Sequence, residues 1–121
     1  MDVIIELVNE NGRGTHTEEL KNVQTIYNGT DYIFIEYNKN SRIKCFNFDE
    51  VSEIMFGADT ELAVNIAGAD MLYLADIRNI VYWGNCLESI QFIDAEGVVF
   101  SEYAHDINYI DIVETKTAFI D

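Results

Sequence analysis

A five-residue phrase, written four times, constrains this chain more than any other feature. Asp76-Ile77-Arg78-Asn79-Ile80 is its clearest form. Glu50-Val51-Ser52-Glu53-Ile54 and Asp106-Ile107-Asn108-Tyr109-Ile110 repeat it, and Asn22-Val23-Gln24-Thr25-Ile26 is a looser version. Each reads polar residue, β-branched residue, two variable residues, isoleucine. The leading apolar residues Val23, Val51, Ile77 and Ile107 are spaced by 28, 26 and 30 residues. A period of that size marks a repeated supersecondary unit.

Each unit also carries a β-hairpin pattern. Val3-Ile4-Ile5-Glu6-Leu7-Val8 is a β-branched run followed by the turn Asn9-Glu10-Asn11-Gly12, while Arg13 to Lys21 is ambiguous between helical turn and strand. Asp31 to Tyr37 and Arg42 to Phe48 flank the turn cluster Asn38-Lys39-Asn40-Ser41, and the Lys and Arg of the return strand suggest a sheet edge. Glu61 to Ile66 and Met71 to Leu74 flank Gly68-Ala69-Asp70, and Ser89 to Ile93 and Val98 to Tyr103 flank Asp94-Ala95-Glu96-Gly97. Thr117 to Ile120 offers a further short edge strand. The units run over residues 3–29, 31–57, 61–84 and 89–114 of one all-β domain.

The phrase itself poses a geometric question. Residues i and i+3 of a regular strand point to opposite faces, but in a single 3₁₀ turn they eclipse. Burying both apolar members therefore predicts short helical turns at 50–54 and 76–80. Their leading acidic residues would accept from free backbone N–H groups. Continuing strand is expected over Asn22–Tyr27 and Ile107–Val113, where alternation persists. Strands of this number and length predict an antiparallel sandwich or barrel, which would keep Phe34, Phe46, Trp83 and Phe92 dry. A stacked solenoid is the alternative, but it would expose both end faces.

Charge sets the second constraint. Twenty-two acidic residues against seven basic ones give −15. The imbalance is concentrated: residues 1–44 hold 7 acidic and 5 basic side chains, and residues 45–121 hold 15 and 2. Such a field repels phosphate backbones, which excludes direct nucleic-acid binding, and speeds encounter with basic partners. Solubility alone also accounts for it. No apolar run is long enough to span a membrane, and the start Met-Asp-Val-Ile-Ile-Glu lacks the basic region of a signal peptide. Cys45 and Cys86 form no CxxC motif and read as reduced core residues of a cytoplasmic protein.

Catalytic and metal patterns are weak. His105-Asp106 has only His16 as a further histidine, so a metal site lacks ligands and the pair reads as a surface turn. Neither cysteine has a setting that lowers a thiol pKa, and Ser52, Ser89 and Ser101 sit in no GxSxG elbow. Asp59-x-Glu61 and Asp94-x-Glu96-Gly97 supply oxygen atoms without a calcium loop, and Gly12-Arg13-Gly14 lacks the lysine of a phosphate cradle. The expectation is a non-catalytic protein with no cofactor and no metal.

The acidic distribution is the remaining functional clue. A rigid sheet can hold carboxylates in a row comparable to DNA phosphates and so fill the basic groove of a nucleic-acid-binding protein, such as a nuclease. The candidate partner-binding residues are Asp59, Glu61, Asp70, Asp94, Glu96, Glu102, Asp106, Asp111 and Glu114, with Tyr82, Trp83 and Tyr103 as aromatic anchors. Phage inhibitors of bacterial defence enzymes share these bulk properties of small size and acidity. The alternatives are a toxin-immunity protein and a structural or virion module. For the latter, Ala118-Phe119-Ile120 would favour a closed homo-oligomer.

Overall fold

The computed structural model describes residues 1–9, 12–38, 42–82 and 89–113. Its strands are β1 (Val3–Val8), β2 (Thr15–Leu20), β3 (Thr25–Asn28), β4 (Tyr32–Tyr37) and β5 (Arg42–Asn47). They continue with β6 (Val51–Ile66), β7 (Leu72–Tyr82), β8 (Ser89–Asp94), β9 (Gly97–Tyr103) and β10 (Ile107–Val113). All the pairings are antiparallel, as expected for an all-β chain. Among the described residues no helix is long and apolar enough to cross a membrane.

The long strand β6 organises the sheet. Its first part pairs with β1 and its last part with β10, while β7 follows it on the other side. Two wings result. The first has the order β2-β1-β6-β7-β8-β9 and the second β5-β4-β3-β10-β6-β7. The expected sandwich or barrel takes a different form here: the described strands make one continuous sheet, and its ladder ends at β2, β5 and β9 without closing. Both wings nevertheless bury their apolar faces in one core, in which Ile5, Ile54 and Phe92 join Ile26, Ile35 and Ile112. At one margin Phe48 meets Tyr82 edge-on, with ring centroids 5.8 Å apart.

The repeated phrase is buried by another device than the expected helical turn. Val23, Ile26, Val51, Ile54, Ile77, Ile80, Ile107 and Ile110 are all 0–1 % exposed. Yet 51–54 lies in β6 and 76–80 in β7, and the 3₁₀ turns, at Phe48–Glu50 and Ala104–Asp106, reach only the leading residue of a phrase. In two of the four phrases the irregularity is a β-bulge. Leu7 pairs with Val51 but Glu6 with Glu53, so Ser52 is an extra residue. Likewise Ile107 pairs with Ile66 but Tyr109 with Asn65, leaving Asn108 extra. One inserted residue turns an i, i+3 spacing into two inward side chains. The polar leader of each phrase makes the corner that precedes it. Asn22 and Asp76 adopt left-handed φ of 53° and 57°, and Glu50 and Asp106 close the 3₁₀ turns. Glu50 accepts from the Asn47 N–H at 3.2 Å, the role expected of an acidic leader.

These corners expose a pseudo-two-fold arrangement. A hairpin (β1–β2), a left-handed corner at Asn22, strand β3, a hairpin (β4–β5), a 3₁₀ turn and the start of β6 form the first half. The second half repeats this series: the β6–β7 hairpin, a corner at Asp76, the end of β7, the β8–β9 hairpin, a 3₁₀ turn and β10. The pairings match as well, since β1 on early β6 corresponds to late β6 on β10, and β3 on β10 to late β7 on early β6.

Some expectations are corrected. Residues Thr15–Leu20 of the ambiguous stretch are a strand. Cys45 is exposed rather than in the core, and Phe34 points outward, whereas Phe46 and Phe92 are buried. Cys86, Trp83, Glu114 and the segment 117–120 lie outside the described residues.

Candidate protein-docking face

The outer face of the second wing is where sequence and exposure disagree most. Along β3, β4 and β10 the inward positions hold isoleucine: Ile26 pairs with both Ile35 and Ile110. The outward positions therefore hold whatever alternates with it, and here that is aromatic. Tyr27 pairs with Phe34 on one side and with Tyr109 on the other, so the three share one face. The Tyr27 and Tyr109 rings lie 6.1 Å apart, and Phe34 has Tyr32 at 6.2 Å. Tyr73 on β7, 63 % exposed, and Ile43 on β5, 62 % exposed, stand at the two margins.

Carboxylates are set among these rings. Glu36, Thr25 and Asp111 occupy one cross-strand row, beside the row of Phe34, Tyr27 and Tyr109. The Tyr27 hydroxyl donates to Glu36 at 3.2 Å, and the Thr25 hydroxyl donates to Asp111 at 2.8 Å. Desolvation, and after it the charge of Glu36, pushes the Tyr27 phenol above its usual range, so the ring stays neutral and keeps its donor. Neither Glu36 nor Asp111 is in an ion pair among the described residues, whose pairs are Lys21 with Asp2 and Glu19, Lys44 with Glu18, and Arg78 with Asp59.

The other half of the molecule serves as an internal control. By register, Tyr27, Phe34, Tyr32 and Tyr109 correspond to Val81, Gln91, Ser89 and Glu53 of the first wing. Glu36 and Asp111 correspond to Ile93 and Met55. None of the four counterparts is aromatic and neither of the last two is charged. The scaffold folds with those residues at the same places, so folding alone does not demand an aromatic and acidic outer face.

The expected partner-binding residues are divided among several places. Asp111 and Glu61 belong to the face just described, Glu61 opposite Val113 on the neighbouring strand. Asp70 lies in the β6–β7 turn, and the Asp106 backbone carbonyl accepts from the N–H of Ala67 at the start of that turn, at 2.7 Å. Asp59 is bound by Arg78 at 2.9 Å where β6 bends, beside a shallow hollow formed with Phe56, Gly57 and Ala58. Asp94 accepts from the N–H groups of Glu96 and Gly97 and so fixes the β8–β9 turn. Glu102 and the exposed Tyr103 are on the terminal strand β9. Tyr82 is withdrawn from any surface: it is 2 % exposed, and burial alone pushes its phenol far above the usual range.

His105, next to Asp106, lies against the Tyr103 ring in the 3₁₀ turn, and no group of three metal-capable side chains occurs among the described residues. Tyr27, Tyr32, Phe34, Glu36, Tyr73 and Tyr109 were not among the expected partner-binding residues. A signal for most of them was present, because Tyr27, Tyr32, Phe34 and Tyr109 each stand one residue away from a buried isoleucine. No protein-family model matches the chain, and no curated protein and no solved structure matches it either.

Proposed function

We propose that this is a non-catalytic binding protein that docks the aromatic and acidic face of its second wing onto a basic protein, of the kind whose groove otherwise holds nucleic acid. The observation that carries the reading is the contrast between the halves: Tyr27, Phe34 and Tyr109 with Glu36 and Asp111 on one wing, and Val81, Gln91 and Glu53 with Ile93 and Met55 at the matching places. Exposed aromatics supply contact energy that rim charges do not, and carboxylates beside them select a partner rich in Lys and Arg. The net charge of −15 steers such a partner from a distance.

The test compares wild type with the variant Tyr32→Ser/Phe34→Gln/Tyr109→Glu, which copies residues of the first wing onto the second. Proteins captured from a bacterial lysate are identified, and the main one is purified and titrated across salt. A basic nucleic-acid-binding protein is expected that loses its DNA or RNA to wild type and not to the variant. Its affinity falls steeply as salt rises. Equal binding by the variant, or an affinity indifferent to salt, overturns the reading.

One observation favours a second reading, that of a structural module forming an oligomer. The terminal strand β9 exposes Val98 and Val99 with few charges to guard its edge. Sizing in solution separates the two, because that module is a closed oligomer at micromolar concentration and the docking protein alone is a monomer.

A further inference from the structure

We infer that the docking face is selective for arginine side chains over other positive groups, and that it takes two of them. This rests on the docking face proposed above and names what the partner must present there. Glu36 and Asp111 are two strands apart with Thr25 between them, which sets their backbones about 10 Å apart. The two carboxylates are turned to different hydroxyls, so each is a separate acceptor that serves its own guanidinium. Each also uses one oxygen on a neighbour's hydroxyl, Glu36 on Tyr27 and Asp111 on Thr25, and its second oxygen has no hydrogen-bond partner among the described residues.

Those internal bonds matter for selectivity. They hold the carboxylates in fixed directions beside the Tyr27 and Tyr109 rings, which are tilted by 36° to each other. A guanidinium is a flat, weakly hydrated ion that stacks on a tyrosine face while its edge donates to a carboxylate. An ammonium ion is a compact, strongly hydrated charge that gains less from the ring. The tyrosine pair with flanking carboxylates therefore discriminates where a plain acidic patch would not. The matching positions of the first wing hold Val81, Glu53, Ile93 and Met55, so discrimination belongs to one wing.

The intact protein, labelled with ¹⁵N, is titrated with two probes at about 50 mM salt, where exposed charges are lightly screened. One is a glycine-spaced peptide with four arginines and the other its lysine counterpart. The arginine peptide is expected to bind about fivefold more tightly, the factor that one or two exposed cation–π contacts provide. It shifts amides of residues 25–28, 33–36 and 109–112, and not those of 79–82 or 89–93. Tyr27→Leu brings the two peptides to within about twofold of each other by weakening only the arginine complex. Glu36→Gln, which leaves the ring in place, weakens both. Equal affinities for wild type, or shifts centred elsewhere, overturn the arginine reading and leave the docking of a basic partner intact. Failure of both peptides to bind overturns the docking reading as well.

Discussion

Asn28 and Tyr82 stand at matching places in the two halves, opposite Ile33 and Ile90, and each buries a polar group that has no hydrogen-bond partner among the described residues. The pseudo-symmetry thus extends to an imperfection of the core. A buried hydroxyl left unpaired costs about 1–3 kcal/mol relative to its solvated state. Tyr82→Phe removes the hydroxyl and keeps the ring against Phe48. Thermal unfolding of this variant is expected to shift upward by about 3–5 °C. A downward shift shows that the hydroxyl does have a partner.

Deleting single residues from β6 probes the bulge. Without Ser52 the ladder to β1 becomes regular, and Val51 and Ile54 then alternate in the ordinary way with both still inward. That deletion is expected to leave a folded protein with cooperative unfolding. Deletion of Ala63, which lies in regular pairing between Leu62 and Val64, turns one of those buried residues outward and is expected to unfold the chain. Circular dichroism and chemical denaturation of the two variants check this.

The corner at Asp76 is read by substitutions that change only backbone freedom and charge. Its φ of 57° is strained for most side chains and free for glycine. Asp76→Gly is expected to raise stability by up to about 1 kcal/mol, and Asp76→Val to lower it by about 1–2 kcal/mol. The sign of the difference between the two, measured by denaturant titration, is the test.

Asp2 fixes the other left-handed corner. Its carboxylate accepts from the Asn22 N–H at 3.1 Å and pairs with Lys21 at 3.5 Å, and the first of these mainly holds its pKa below the ordinary 3.8. A lowered carboxylate pKa adds stability above the unfolded value, and that stability is lost as pH falls through the native one. Asp2→Asn is expected to flatten stability slightly between about pH 4 and 2, lowering it a little at pH 7 and leaving it nearly unchanged near pH 2. Carbon-detected titration of Asp2 gives the native midpoint directly.

The docking face and the core are expected to separate cleanly in stability. Tyr32→Ser/Phe34→Gln/Tyr109→Glu loses cross-strand aromatic contacts of about 0.2–1 kcal/mol each. Ile80→Ala, fully buried, costs about 2–5 kcal/mol on its own. Denaturant midpoints that rank the face variant below Ile80→Ala contradict the placement of these side chains.

The repeats, the hairpins and the inward isoleucines were legible because burial imposes a periodicity that composition cannot hide. The bulges were not, since an i, i+3 spacing is equally met by a 3₁₀ turn or by one inserted residue. Only a partner strand distinguishes them, as Glu6 and Leu7 do for Ser52. The form of the sheet escaped for a related reason: nothing local to Val51–Ile66 tells that one strand serves two neighbours along a single edge. Of the expected interface, Asp111 and Glu61 were found through charge alone, while Tyr27 and Tyr109 meet only through strands far apart in sequence.

The sharing of β6 has a consequence for how such a molecule could arise. Early β6 pairs with late β7 of the other half, and β3 pairs with β10 across the same boundary. Neither half completes its sheet by itself, so a chain of half this length would be driven to associate with a twin. Two identical copies must offer identical exteriors. Fused end to end, they are released from that obligation, and one side can turn adhesive while the other stays inert.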